Sequence, residues 1–159
     1  MNFSYPSPIS ERELVLERVI DASPEKLFRA WTEPELLKQW FCPKPWGVSS
    51  ATLDVRPGGS SLVVMRSPEG QEFPHRGVYL DVIKNQRIIF TDAFTEAWIP
   101  SDKAFMTACI TFEPQDNKTK YTARVFHWSV SDREEHEKMG FYEGWSKATD
   151  QLVELASTL

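Results

Sequence analysis

Apolar positions recur along this chain with two different periods, those of strand and of helix, and the changes between them mark its elements. Leu14-Val15-Leu16-Glu17-Arg18-Val19-Ile20 is rich in β-branched and aliphatic residues and stops at Asp21-Ala22-Ser23-Pro24, which predicts a strand leading into a helix. Ser23 is placed to cap that helix. Pro24 suits its first turn because the missing N–H would have no partner there, and Glu25 faces the positive end of the dipole. Leu27, Phe28 and Trp31 supply its apolar face. Thr32-Glu33-Pro34-Glu35 repeats the signal and opens a second short helix through Leu36, Leu37 and Trp40, with Thr32 as the expected cap. Between 51 and 128 the pattern shortens to strand length, predicting strands over 51–55, 60–66, 73–84, 87–94, 105–113 and 120–128. Pro57-Gly58-Gly59, Pro68-Glu69-Gly70, Lys84-Asn85-Gln86 and Pro114-Gln115-Asp116-Asn117 supply the reversals. Short connections without intervening helices favour an antiparallel meander over a parallel sheet.

The last quarter returns to helical spacing. Phe141, Gly144, Trp145, Ala148, Leu152, Leu155 and Leu159 fall on one stripe, and Ser131-Asp132-Arg133-Glu134 has the form of a capping box. One helix is therefore expected from Ser131 nearly to the end. Gly140 and Gly144 would each cost about 1 kcal/mol inside it, so a close approach by a strand or a ligand is expected at that turn. Residues 1–10, with Pro6 and Pro8 among serines, read as a flexible arm, and 11–159 as a single domain of α+β class.

With the elements in order, particular residues sharpen the picture. The segment DASPEKLFRAWTEPELLKQWFCPKPW at 21–46, the turn Arg56-Pro57-Gly58-Gly59, and His136-x-x-Met139-Gly140-Phe141-x-x-Gly144-Trp145 with a trailing Leu152 resemble the activator of heat-shock protein 90 ATPase homologue family. That family lies in the START-like, Bet v 1-like helix-grip superfamily. The resemblance implies a curved antiparallel β-sheet wrapped around a long C-terminal helix, with two short helices after the first strand. It also implies a cavity between sheet and helix, which superfamily members use for lipids, sterols, plant hormones or polyketides. The family takes its name from a co-chaperone with a second, ATPase-stimulating domain. At 159 residues there is no room for that domain, so co-chaperone activity is not expected to follow.

Composition narrows the function classes. A net charge of −5 and the absence of any Lys/Arg run argue against binding a phosphate backbone, so no nucleic-acid partner is expected. No apolar run is long enough for a membrane span, the pattern of residues 1–10 is not that of a secretory leader, so secretion is not expected, and Cys42 and Cys109 stand outside any CxxC spacing. A cytoplasmic protein is expected. His75, His127 and His136 lack metal-ligand spacing, and neither GxSxG nor GxGxxG occurs, so no metal and no cofactor are expected. For His127 and His136 a cap, a hydrogen bond or a solvated position is favoured over catalysis.

Six tryptophans and ten phenylalanines are the remaining signal. Trp31 and Trp145 lie on apolar helix stripes and read as core, although Phe141 and Trp145 also face the expected cavity. Trp40, Phe41, Trp46 and Trp98 lie in or beside loops and read either as core or as ligand contacts. On the strand at 73–84, period two puts His75, Gly77, Tyr79 and Asp81 on one face and Arg76, Val78, Leu80 and Val82 on the other. The second reads as the core face. His75 and Tyr79 are then either solvent-facing or cavity-lining, and both alternatives stay open. The candidate ligand-binding set is Trp40, Phe41, Trp46, His75, Tyr79, Trp98, Phe141 and Trp145. The leading expectation is a binding protein for a small apolar ligand. The alternatives are a polyketide cyclase or aromatase-like enzyme using His75, Tyr79 or Arg124, and a chaperone-associated interaction protein; a homodimer is compatible with each.

Overall fold

A computed structural model describes residues 10–159; the expected arm at 1–9 lies outside them. Strand β1 (Glu13–Ile20) leads to α1 (Pro24–Thr32) and α2 (Pro34–Leu37), then to β2 (Gly47–Leu53), β3 (Ser60–Arg66), β4 (Glu72–Ile83) and β5 (Arg87–Thr91). A small hairpin, β6 (Phe94–Thr95) and β7 (Ile99–Pro100), precedes β8 (Thr107–Gln115), β9 (Lys118–Phe126), α3 (Val130–Lys138) and α4 (Phe141–Ala156). Seven strands make one antiparallel sheet in the order β1-β9-β8-β5-β4-β3-β2. Its concave face carries Leu14, Leu16, Ile88, Ile110, Tyr121 and Val125, which pack with Leu27, Phe28 and Trp31 of α1 and Phe141 and Leu152 of α4. This is the α+β helix-grip architecture that the resemblance implies.

Local chemistry explains most boundaries. The Ser23 hydroxyl accepts from the Lys26 N–H, as a cap should, while Pro24 occupies the first turn. The second cap differs from expectation. Glu33, not Thr32, stands at the N-cap position of α2, and the Thr32 hydroxyl instead donates back to the Phe28 carbonyl at 2.8 Å. Inside the sheet, the Arg18 guanidinium is turned toward α4, donating to Asp150 at 2.6 Å and to the Ser146 carbonyl. It ties the sheet edge to the helix.

Two corrections concern the C-terminal helix. The N-cap is Ser129, whose extended backbone lets its hydroxyl accept from the Asp132 N–H at 3.0 Å, so helix begins at Val130 and no box forms at Ser131. The helix is also two helices. Gly140 has φ +99, a left-handed conformation that ends α3 and starts α4 on a new axis. The expected close approach at Gly144 is absent as well: a Cβ built there has no atom within 4 Å. Gly144→Ala should therefore raise stability by roughly 0.5–1 kcal/mol through helix propensity, read from the urea midpoint. A loss of stability would mean a contact at this turn that the packing does not contain.

The face assignment on β4 also changes. Pairing runs Val78 to Thr91 and Tyr79 to Phe90, but then Asp81 to Ile89, so Leu80 is an extra residue in a β-bulge. The bulge reverses the parity. His75, Gly77 and Tyr79 turn inward, Leu80 is exposed, and beyond it Val82 packs on the core while Asp81 bonds Arg87 on the outer face. The strand predicted over 87–94 ends at Thr91, whose hydroxyl turns back to the Met106 carbonyl.

Candidate functional site

Near the β2 end of the sheet, where α1, α2 and the following loop lie over β2 to β5, the core opens into an apolar recess. Trp31, Leu37 and Phe41 from the helical side and Leu53, Val63 and Phe90 from the sheet line it, and Ser61, His75, Tyr79 and Thr91 add polar side chains to that lining. Its free volume is about 30 Å³, room for one or two water molecules. Three rings make the aromatic wall: Phe41 meets Trp31 edge-on at 5.8 Å, and Phe90 lies 5.7 Å from Trp31 on the other side. The Trp31 indole N–H is already used, donating to the Tyr121 hydroxyl at 3.1 Å.

The segment carrying Phe41 is held from α4. The Gln151 amide donates to the carbonyls of Trp40 and Cys42 at 2.9 and 2.8 Å and accepts from the Lys44 N–H, and Lys147 caps the Lys44 carbonyl. The opposite wall is set by two glycines. A Cβ on Gly77 would overlap the Thr91 carbonyl oxygen, so only glycine lets β4 and β5 close at the bulge. A Cβ on Gly59 would overlap the Asp54 carbonyl oxygen; Gly58 and Gly59 exchange backbone hydrogen bonds with Tyr79 at 2.7 and 2.9 Å. That turn fixes Tyr79 from behind. Burial pushes the Tyr79 hydroxyl up to about 12, with the Ser61 side chain opposing and the Asp54 carboxylate adding to the shift. At neutral pH Tyr79 is a hydrogen-bond donor.

Of the residues expected at a ligand site, Phe41, His75 and Tyr79 come together on this recess. Trp40 is buried with its N–H donated to the Ala30 carbonyl at 2.9 Å, and Phe141 and Trp145 stack on each other at 5.2 Å toward α3, away from the recess lining. Trp46 and Trp98 are 40% and 51% exposed. Trp46 packs on Phe73, and Trp98 lies over the Gly58 turn in a hairpin where Ala97 and Trp98 both have positive φ. Ser61, Leu53 and Phe90 are site residues that sequence reasoning did not single out. The alternation of Ser61 with Val63 on β3 carried the signal for the first.

A second polar cluster lies between β9 and α3. His127 and His136 are buried, and His127 Nε2 is 2.9 Å from His136 Nδ1, while His127 Nδ1 meets the Arg12 carbonyl at 2.8 Å. A carbonyl only accepts, so His127 Nδ1 carries a proton toward Arg12, and one hydrogen bond joins His127 Nε2 to His136 Nδ1. Phe105 and Phe141 flank His136, and burial first, then His127, lowers its pKa to about 4. The hydrogen bond expected for these residues is present; the solvated position is not. Among the described residues, no group of three or more His, Cys, Asp or Glu is placed to hold a metal ion, and no helix is long and apolar enough to cross a membrane.

Comparison with known proteins agrees with this architecture. Residues 21–157 match the family model described as Activator of Hsp90 ATPase homolog 1-like protein. A crystal structure of a Nitrosomonas europaea protein is 41% identical, with a TM-score of 0.91 over 95% of this chain and 97% of that one. A Rhodobacter sphaeroides protein superposes with a TM-score of 0.84 at 21% identity, covering 96% and 97% of the two chains. The AHSA1-like protein of Aeromonas hydrophila superposes with a TM-score of 0.71 at 15% identity, covering 92% of each. No protein of curated function matches the chain.

Proposed function

Since the chain belongs to the Activator of Hsp90 ATPase homolog 1-like family and has its START-like fold, we propose that it binds a small, largely apolar molecule in the recess beneath Trp31 and Phe41. One observation carries this reading: an apolar, aromatic-walled recess whose lining includes the polar side chains of Ser61, His75 and Tyr79. A few polar groups set into an apolar lining are how small-molecule sites fix orientation. The free volume of about 30 Å³ sets the size. A single ring enters only if half-buried Phe41 and Leu53 swing aside, so these two side chains, not the exposed Trp46 and Trp98, control access.

The reading makes a direct demand on Phe41. Phe41→Ala removes one wall and leaves room for a ring, as in engineered apolar cavities that take up benzene. Neutral single-ring compounds should bind the variant at least ~10-fold tighter than the wild type, while the lost packing lowers stability by roughly 1–3 kcal/mol. Titration followed by Trp fluorescence checks it. Equal binding by both proteins would place any uptake elsewhere. Catalysis is less well supported, because Tyr79 held near 12 is a donor and not a base at neutral pH.

A further inference from the structure

Helix α3 has almost nothing apolar to hold it in place. Its sequence, VSDREEHEK, contains one apolar residue, Val130, and that side chain is exposed. Only His136 of this helix is buried; half-buried Asp132 and Arg133, four and three residues earlier, share its face. A surface helix ordinarily docks through an apolar stripe. Here a single imidazole takes that place. The His136 ring lies 4.5 Å from that of Phe105 and 5.3 Å from that of Phe141, and its Nδ1 is 2.9 Å from His127 Nε2. Arg133 adds a bond to the Glu11 carbonyl at 2.9 Å, but that bond is exposed to competing water. Both ends of α3 are non-helical joints, extended at Ser129 and left-handed at Gly140, so α3 can lift without unwinding its neighbours. Helix α4 keeps its own anchors, Ala148, Leu152 and Ala156.

We propose that α3 is an acid-operated flap: as pH falls it lifts from Phe105 and Phe141, hinging at Ser129 and Gly140, while the sheet and α4 stay folded. The sign follows from the anchor. Lifted, His136 meets water and takes its proton near its ordinary 6.5; docked, burial first and His127 second hold it near 4. The lifted form therefore binds more protons, and acid favours it. Other ionisable side chains stand on the elements around the ring. Asp92 accepts from the Phe105 N–H, Glu13 is bonded to Arg124, and Glu137 is bonded to Arg133. Arg12, Lys103, Asp132 and Glu143 are also close in sequence to its contacts, but the neighbour that adds to burial in keeping a proton off His136 is His127. From pH 7 to pH 5 the ratio of lifted to docked α3 should rise about 20-fold.

Amide hydrogen exchange of the wild-type protein at pH 7 and pH 5, each rate referred to the intrinsic rate at that pH, tests the proposal. Amides at 134–138 should be less protected than those of β8 and β9 at both pH values, and their protection should drop about 20-fold at the lower one. Low urea identifies the opening: α3 exchange should hardly respond, because lifting exposes little surface, while β8 and β9 exchange faster. In His136→Gln the pH dependence at α3 should disappear, and the wild-type comparison decides the matter even if that variant does not fold. Protection of α3 equal to that of β8 and β9, protection unchanged between pH 7 and pH 5, or a 20-fold drop that survives in His136→Gln would each overturn the proposal.

Discussion

Acid should destabilise this protein by about 3 kcal/mol between pH 6.5 and pH 4 through His136 alone. In the unfolded chain the imidazole takes its proton near its ordinary 6.5; in the fold it does so only near 4. Over that window the unfolded state binds more protons, so stability falls as pH falls. The contribution is complete above about pH 6.5 and gone below about pH 4. The cause is burial first and His127 second: protonating His136 puts a charge between Phe105 and Phe141, with His127 against it. Charged side chains stand on the surrounding elements, among them Arg12, Glu13, Arg133, Glu137 and Glu143, but the neighbour that adds to burial in lowering the His136 pKa is His127. Urea midpoints from pH 6.5 to 5, above the range where carboxylates titrate, isolate the effect. His136→Gln, which keeps a hydrogen-bonding group for His127, should flatten the slope by about one proton. An unchanged slope would mean that His136 is solvated.

The second large effect is expected at Gly59. With the Asp54 carbonyl where a Cβ would stand, and the Arg56 carbonyl 3.0 Å away, Gly59→Ala must force the β2–β3 turn open and break its hydrogen bonds to Tyr79. A cost of about 3 kcal/mol or more follows from overpacking plus the lost backbone bonds. Gly58 is different in kind. Its φ of +83 asks for a left-handed residue, and a Cβ there would sit 3.5 Å from Trp98, an ordinary contact. Gly58→Asn should cost only about 1 kcal/mol. Thermal unfolding of both variants distinguishes the causes; equal losses would mean that the turn is not wedged against Asp54.

How much of this was legible in the sequence depended on the range of the forces. Ser23-Pro24 caps a helix by contacts within three residues, and the apolar alternation of β1 needs only a face, so both were readable. Ser129 and Ser131 each precede an acidic residue by three, and only the extended backbone at Ser129 decided between them. Gly140 was read as a cost inside one helix, whereas a glycine after Lys138-Met139 also fits a helix stop; its φ made it the stop. The bulge at Leu80 was hidden because it answers to Gly77 and Thr91, residues joined only across the β4–β5 pairing. For the same reason Phe41, His75 and Tyr79 could be named as candidates while Ser61 and Phe90 could not. Their place on the recess is a property of register. Trp46 and Trp98 drew attention as loop aromatics, and the fold put them on the surface.

Entry of a small molecule beneath Trp31 is the event on which the proposed function depends. The most direct measurement follows indole and backbone N–H resonances of the wild-type protein during an ethylbenzene titration. The Trp31 indole proton, bonded to Tyr121, and the Gly77 amide should shift together and saturate, while the indoles of exposed Trp98 and Trp128 stay in place. Shifts confined to Trp98 and Trp128, or none at all, would contradict it.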